Sequence, residues 1–233
     1  MGKRVCQQQS GKAPSAKERK AHDRMVLLDL AVIALICAGT YYIVDKLLMP
    51  GLGEFAGSAI AMFVSFLVIP AICLALGVPS KRGSRLGRFD FKFVISLLIY
   101  QIFTLWLLVY LPRNPGFFSD FSLGSTDHIS YLIMVGLYVP PVDFFTRRII
   151  QSEVTNTFGP WAGFWAGTLA WLVGHIPEVF WLSELMGPTG SAIFIVISGL
   201  VTGLLYMRYK NVLGLMTGHW LLNVILSLAP AMF

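Results

Sequence analysis

The chain has 233 residues, of which 56% are hydrophobic and only 13% are charged. Together with a mean hydropathy of +0.70, this composition excludes an ordinary soluble domain and allows one compact bundle of membrane helices. We therefore predict an all-α, polytopic membrane bundle of seven or eight transmembrane helices.

A basic tail precedes the first apolar segment. Residues 1–24 carry seven of the 18 Lys and Arg residues, with Gly, Ser, Gln and Pro between them, and we predict that they are disordered. Basic residues beside a first span usually hold that end of the chain in the cytoplasm. We expect a cytoplasmic N-terminus and no binding of nucleic acid.

Apolar segments and polar loops alternate after the tail. We divide them into N-terminal transmembrane helices, residues 25–127, and a C-terminal transmembrane core, residues 128–233. Pro70 is expected to kink the second span. Six spans are predicted from hydropathy, at about residues 25–49, 55–78, 93–111, 162–180, 191–206 and 213–228.

The segment at 128–158 allows two interpretations. It is either one long helix kinked at Pro140 and Pro141, or a span followed by a separate helix that begins with a proline. The basic loop at 80–92 belongs on the cytoplasmic side, and residues 112–127, nearly free of Lys and Arg, belong on the opposite side. We predict an integral protein of a bacterial or archaeal cell membrane.

Two of the apolar spans contain polar side chains. His175 lies within LAWLVGHIP, and His219 and Asn223 lie in the last span. Such groups are costly in lipid unless they face a protein interior or a wet cavity. Their spacing of four residues places His219 and Asn223 on one helix face, so we predict that the three side chains share a polar chamber within the bilayer.

Pairs of glycines mark the faces on which the last spans pack. They are spaced Gly-x-x-x-Gly, which allows helix backbones to approach closely. On the first of these spans the ridge of glycines continues through Trp171 to His175. The pairs are Gly163 with Gly167, Gly199 with Gly203, and Gly214 with Gly218.

The motifs of this core resemble a known family. Trp171-Leu-Val-Gly-His175 is similar to a Phe-x-x-x-His motif, and His219-Trp-Leu-Leu-Asn223 matches a His-x-x-x-Asn motif. Both are typical of the membrane family of CAAX proteases and bacteriocin-processing proteins, often called CPBP or Abi. The connecting segments FGPWAGFWAG and GLVTGLLYMRYKNVLGLMTGHWLLN also read like this family, so the resemblance extends from about residue 140 to residue 229.

The family's first motif, Glu-Glu-x-x-x-Arg, is altered in this chain. On one register Val142 and Asp143 occupy the glutamate positions and Arg147 the arginine position. One residue later, Asp143 and Phe144 occupy the glutamate positions and Arg148 the arginine position. A proline three residues before Asp143, a spacing frequent in the family, slightly favours the later register. On both registers a single short carboxylate replaces the pair.

The resemblance implies two catalytic roles, shared by four residues. Asp143 and His175 would activate a water for attack on a peptide carbonyl, and His219 and Asn223 would stabilise the resulting oxyanion. Supporting roles would fall to Trp171 and to whichever of Arg147 and Arg148 holds the carboxylate or positions the helix by charge pairing.

Two functions remain open at this stage. The first is an intramembrane endopeptidase that cleaves a membrane-associated peptide or protein. The second is a catalytically inactive relative that keeps the chamber as a binding site and acts as a partner subunit, assembly factor or immunity protein. No cofactor is expected. A metal held by His175, His219 and Asp143 is the weaker alternative, because the motif's asparagine is a poor zinc ligand.

Overall fold

All regular structure in the described part of the chain is helical. The structure is a computed structural model that describes residues 15–52, 54–78, 86–113, 133 and 135–228. Every element in these ranges is a helix, so the prediction of an all-α membrane protein is confirmed. Most of the predicted tail and of the loop at 112–127 lies outside the described residues.

The first two predicted spans form a pair of packed helical rods. Helix α1, Ala16–Leu52, packs along α2, Glu54–Phe63. A π-helical turn, Val64–Val68, joins α2 to α3, Ile69–Ala75. Pro70, near the start of α3, has no N–H for an i→i−4 hydrogen bond, and the wider turn lies directly before it. The irregularity predicted at Pro70 therefore takes the form of a π-helical turn.

Helix α4 packs against the last helix, α9. Asp90 caps α4, Phe91–Leu108, by accepting hydrogen bonds from the backbone amides of Lys92 and Phe93. The Asn211 side chain accepts a hydrogen bond from the Gly214 amide in the first turn of α9, Val212–Leu228, and donates one to the Arg88 carbonyl. These caps fix the two helices side by side.

A continuous helical rod spans residues 140–158, which we call the motif helix. It consists of α5, Pro140–Asp143, a π-helical segment, Phe144–Gln151, and α6, Ser152–Phe158. Residues 135–138 are also helical, and Val139 between them keeps helical dihedral angles. Over residues 135–158 the structure thus has features of both interpretations. A helix begins with prolines at residue 140, and it follows the preceding helical turn without a loop.

The predicted span at 162–180 is wrong as a single helix. Helix α7, Pro160–Gly174, ends before His175, whose dihedral angles of φ −105° and ψ 12° are not helical, and α8, Ile176–Tyr209, begins directly after it. Pro177 lies in the first turn of α8, a position that suits a residue without an N–H. His175 thus occupies a junction between two helices.

The polar loop predicted between the next two spans is reduced to a break within α8. Gly187 has φ 77° and ψ 161°, a conformation that glycine adopts without steric cost. Pro188 follows and starts the second half of the helix. The half that follows the break corresponds to the predicted span at 191–206.

Four described helices are long and apolar enough to cross a membrane. The candidate spans are Lys20–Leu47, Ala56–Ala75, Phe91–Leu108 and Ile176–Tyr209, and Val212–Leu226 is a shorter apolar helix. The outer face of α7 is also apolar and exposed, as expected of a surface in lipid. Its side chains follow one another at helical spacing, at Trp161, Trp165, Leu169 and Val173. The total of seven or eight spans and the cytoplasmic N-terminus remain predictions.

The glycine pairs lie where helices approach most closely, as predicted. A Cβ atom on Gly163 would come within 2.6 Å of the Gln151 carbonyl oxygen and 2.7 Å of the Thr155 backbone nitrogen. A Cβ atom on Gly218 would lie 2.9 Å from the Tyr100 ring on α4. Such distances exclude any side chain, so these glycines hold α7 against the motif helix and α9 against α4.

Gly163→Ala should therefore destabilise the protein by about 1–3 kcal/mol, the usual cost of overpacking a tight contact. The clash involves backbone atoms of the motif helix, which cannot rotate away. Gly39→Ala on α1 is the matched control, because nothing lies within 4 Å of its added Cβ, and it should be neutral or slightly stabilising. Melting temperatures in detergent micelles measure both. Equal melting temperatures for the two variants would contradict the packing described here.

Candidate active site

His175 is fixed at the junction of α7 and α8 with one defined tautomer. Its Nδ1 atom lies 2.8 Å from the Trp171 carbonyl oxygen. A carbonyl oxygen can only accept a hydrogen bond, so Nδ1 carries the proton and donates it. In the neutral ring, Nε2 then carries a lone pair and can act as a base. The His175 ring also stacks on the Trp171 indole, with 3.5 Å between ring centroids.

His219 belongs to a hydrogen-bonded triad that is buried between three helices. Its Nδ1 atom lies 3.0 Å from Oδ2 of Asp143 on the motif helix. The hydroxyl of Tyr100 on α4 donates to the same carboxylate, 3.1 Å from Oδ1 and 3.0 Å from Oδ2. Asp143 is fully buried, and the Tyr100 ring stacks on the His219 ring at 4.8 Å. The carboxylate thus sets the orientation of His219.

The two histidines face each other across a small space. Their ring centroids are 5.7 Å apart, with an angle of 22° between the ring planes. Asn223, one turn after His219, donates from Nδ2 to the His219 carbonyl oxygen at 3.1 Å. Its second amide N–H and its side-chain oxygen can still form other hydrogen bonds. The structure therefore brings His175, His219 and Asn223 together.

A cavity opens in front of these three side chains. Its volume of about 70 Å³ leaves room for a few waters, since one water needs roughly 10–15 Å³. Asp143 does not line it. The lining combines a few polar groups with aromatic and aliphatic walls: Tyr100, Phe103, Leu107, Trp171, His175, Glu178, Trp181, Leu182, Phe194, Ile195, Ser198, His219, Leu222, Asn223 and Leu226.

Comparison with known families agrees with this arrangement. Residues 125–225 match the family model of Rce1-like proteins, described as type II CAAX prenyl endopeptidases. This C-terminal region, somewhat less than half of the chain, is therefore similar to the CAAX protease family. The matched residues contain both histidines, Asn223 and the altered first motif. No match was found among curated proteins or among solved structures.

The contacts of this C-terminal core favour the earlier of the two registers for the first motif. Val142 lies beside the junction that carries His175, because a Cβ atom on Gly174 would be 3.9 Å from the Val142 side chain. A glutamate at this position would therefore lie near His175, as the resemblance implies for the first glutamate. Asp143 then corresponds to the second glutamate and Arg147 to the arginine.

Arg147 joins three helices of the core through its fully buried guanidinium group. One terminal nitrogen donates to Gln151 at 3.2 Å and to Thr168 on α7 at 3.4 Å. The other donates to the Gly199 carbonyl and the Thr202 hydroxyl on α8, both at 2.9 Å. None of these hydrogen bonds goes to Asp143. The contacts of Arg147 therefore position helices and do not hold the carboxylate directly.

Arg148 has a different environment. It is also buried, but its Nη1 atom has no hydrogen-bond partner. Trp171, in the Phe position of the second motif, contacts His175 on one side and lies 5.9 Å from the Arg147 guanidinium. Among the described residues, no group of three or more His, Cys, Asp and Glu side chains is arranged to hold a metal ion.

Two residues that line the cavity, Tyr100 and Glu178, were not predicted from the sequence. Tyr100 lies in a span without motifs, and an isolated tyrosine in an apolar helix gives no local sign of a distant carboxylate partner. Glu178 belongs to none of the motifs either, yet the structure places it in the cavity wall with both histidines. The proline before it was the available signal, since it starts the helix that turns Glu178 inward.

Proposed function

We propose that the protein is an intramembrane endopeptidase of the CAAX protease type, which cleaves a membrane-associated peptide or protein. One observation carries the proposal: two histidines from different helices, each held by a hydrogen bond at Nδ1, flank one cavity 5.7 Å apart between ring centroids. A water between them could meet a base on one side, and the reacting carbonyl oxygen could meet donors on the other.

His175 would bind and activate the attacking water. Its Nδ1 proton is held by the Trp171 carbonyl, so Nε2 can accept a hydrogen bond from the water. Stacking on Trp171 and the hydrogen bond together keep the ring in one orientation. This role matches the one that the resemblance implies for the second-motif histidine.

His219 and Asn223 would stabilise the oxyanion. With Nδ1 hydrogen-bonded to Asp143, His219 can donate toward the cavity only when Nε2 is also protonated. The Asp143 carboxylate accepts the Nδ1 hydrogen bond of this ring. We therefore propose that Asp143 orients His219, whereas the family resemblance alone implies a role beside His175.

The substrate class follows from the environment of the site. The cavity lies among apolar helices, and the family acts at the membrane, so we propose a scissile bond close to a membrane-embedded or lipidated end. The description of the family as prenyl endopeptidases makes a peptide with a prenylated cysteine near its C-terminus the first probe to try.

The alternative, a catalytically inactive relative, is favoured by Val142, which leaves His175 without a carboxylate from the first motif. In this case the polar chamber would bind a partner without cleaving it. The two functions differ in whether the histidines are needed for any chemical product.

Purified protein in nanodiscs should cleave a farnesylated CAAX peptide or proteins of a membrane extract, and mass spectrometry of new C-termini detects the products. The double variant His175→Ala, His219→Ala should yield none, because it removes the water-activating group and an oxyanion donor. The folded double variant, checked by its melting temperature, serves as control. Identical product profiles for both proteins would refute the peptidase and leave the binding role.

A further inference from the structure

Glu178 is a carboxylate in the wall of the cavity that the proposed chemistry has not yet used. It follows His175 by three residues, in the first turn of α8, and both line the cavity together with His219. Glu178 therefore shares the space in which the attacking water would bind.

One oxygen of this carboxylate is buried without a partner. Oε2 of Glu178 is inaccessible to solvent and forms no hydrogen bond. A buried polar atom without a partner costs about 1–3 kcal/mol of folding free energy. A glutamate with a purely structural role would therefore destabilise the fold at this position. An unpaired carboxylate oxygen beside a cavity with room for water points to a ligand that binds there.

The first motif explains why a carboxylate is needed here. Val142 occupies the position beside Gly174 and His175 where the first glutamate of the family would stand. Asp143, the remaining carboxylate of the motif, is committed to Tyr100 and His219 and does not line the cavity. Glu178 is the carboxylate among the residues that line the cavity.

We infer that Glu178 supplies the carboxylate that the first motif has lost and acts as the general base for the attacking water. The inference rests on the proposed peptidase function. His175 would accept a hydrogen bond from the same water and orient it. The lost carboxylate would thus have been replaced by one from α8 instead of the motif helix.

The chemical step balances with the groups present. Glu178 takes one proton from the water as the water oxygen forms a bond to the peptide carbonyl carbon, and the carbonyl π electrons move to oxygen. His219 and Asn223 donate to this oxyanion. When the C=O bond re-forms, the C–N bond breaks, and the proton passes from Glu178 to the leaving nitrogen.

Glu178→Gln is the decisive variant, since it keeps the shape of the side chain and removes its basicity. We expect kcat for the farnesylated peptide, or for a substrate found in the membrane extract, to fall by about 10²-fold or more. The melting temperature should stay equal or rise, because no hydrogen bond of Oε2 is lost. Glu184→Gln, an exposed glutamate of the same helix, is the matched control and should keep wild-type activity.

A second variant tests the replacement itself. Adding Val142→Glu to Glu178→Gln should recover at least about tenfold of the lost activity, whereas Val142→Gln in the same background should recover none. Full activity of Glu178→Gln, or a parallel loss of activity and melting temperature, would overturn the inference and leave the peptidase intact. A wild-type protein that cleaves no substrate would overturn the inference together with the proposed function.

Discussion

Asp143→Asn should lower kcat by about 10²–10³-fold while the helices remain folded. Asparagine preserves the shape of the side chain and can still form hydrogen bonds with Tyr100 and His219, but it carries no charge. Without the carboxylate 3.0 Å from its Nδ1 atom, His219 loses the charge-assisted hydrogen bond that holds its ring in place as an oxyanion donor. The expected loss is that of one oxyanion donor.

The size of the side chain separates two roles for Asp143. If it acted as a base on the water, Asp143→Glu would retain or raise activity, because the longer side chain reaches further. If it orients His219, the extra methylene must fit into a fully buried site between Tyr100 and His219, and activity should fall. Steady-state kinetics of both variants, with melting temperatures as the control for folding, measure the difference. An active Asp143→Asn variant would exclude both roles.

Much of the helical core could be predicted from local patterns. The four-residue spacing of His219 and Asn223 and the glycine pairs of the last spans depend only on helix periodicity, which shows which residues share a face. The structure shows the neighbours of these faces, namely α4 for Gly218 and the motif helix for Gly163.

The partners across the site could not be predicted in this way. Tyr100 is separated from Asp143 by 43 residues. Helix periodicity within either segment cannot predict that these two side chains form a hydrogen bond. The choice between Arg147 and Arg148 depends on rotation of the motif helix, and its π-helical segment changes that rotation relative to a regular α-helix. Sequence spacing alone therefore left the register open.

The break at His175 was missed for another reason. Hydropathy is high on both sides of it, so a window of about 20 residues reads one span across the junction. Pro177, which cannot donate a backbone hydrogen bond, was the local sign of a new helix. The break brings Glu178 to the cavity beside His175.

Arg147→Ala should destabilise the fold by at least about 3 kcal/mol, the largest effect on stability that we expect from one substitution. The variant removes the donors to Gln151, Thr168, Gly199 and Thr202. Several of these acceptors would remain buried without a partner, and each costs about 1–3 kcal/mol. The buried Asp143 carboxylate would also lose its electrostatic interaction with this buried cation. Melting temperature and titration with SDS in mixed micelles measure the loss.

Two matched variants show whether the stability depends on the planar guanidinium group of Arg147 or only on its positive charge. Arg147→Lys keeps the charge, but a single ammonium cannot reach acceptors on both α7 and α8, so it should lose most of the same stability. Arg148→Ala removes a neighbouring buried arginine whose Nη1 atom has no partner, and it should cost about 1 kcal/mol. Equal losses at the two arginines, or a stable Arg147→Lys variant, would contradict the network. A large loss at Arg147 alone would identify it as the arginine of the first motif and favour the register that places Val142 beside His175.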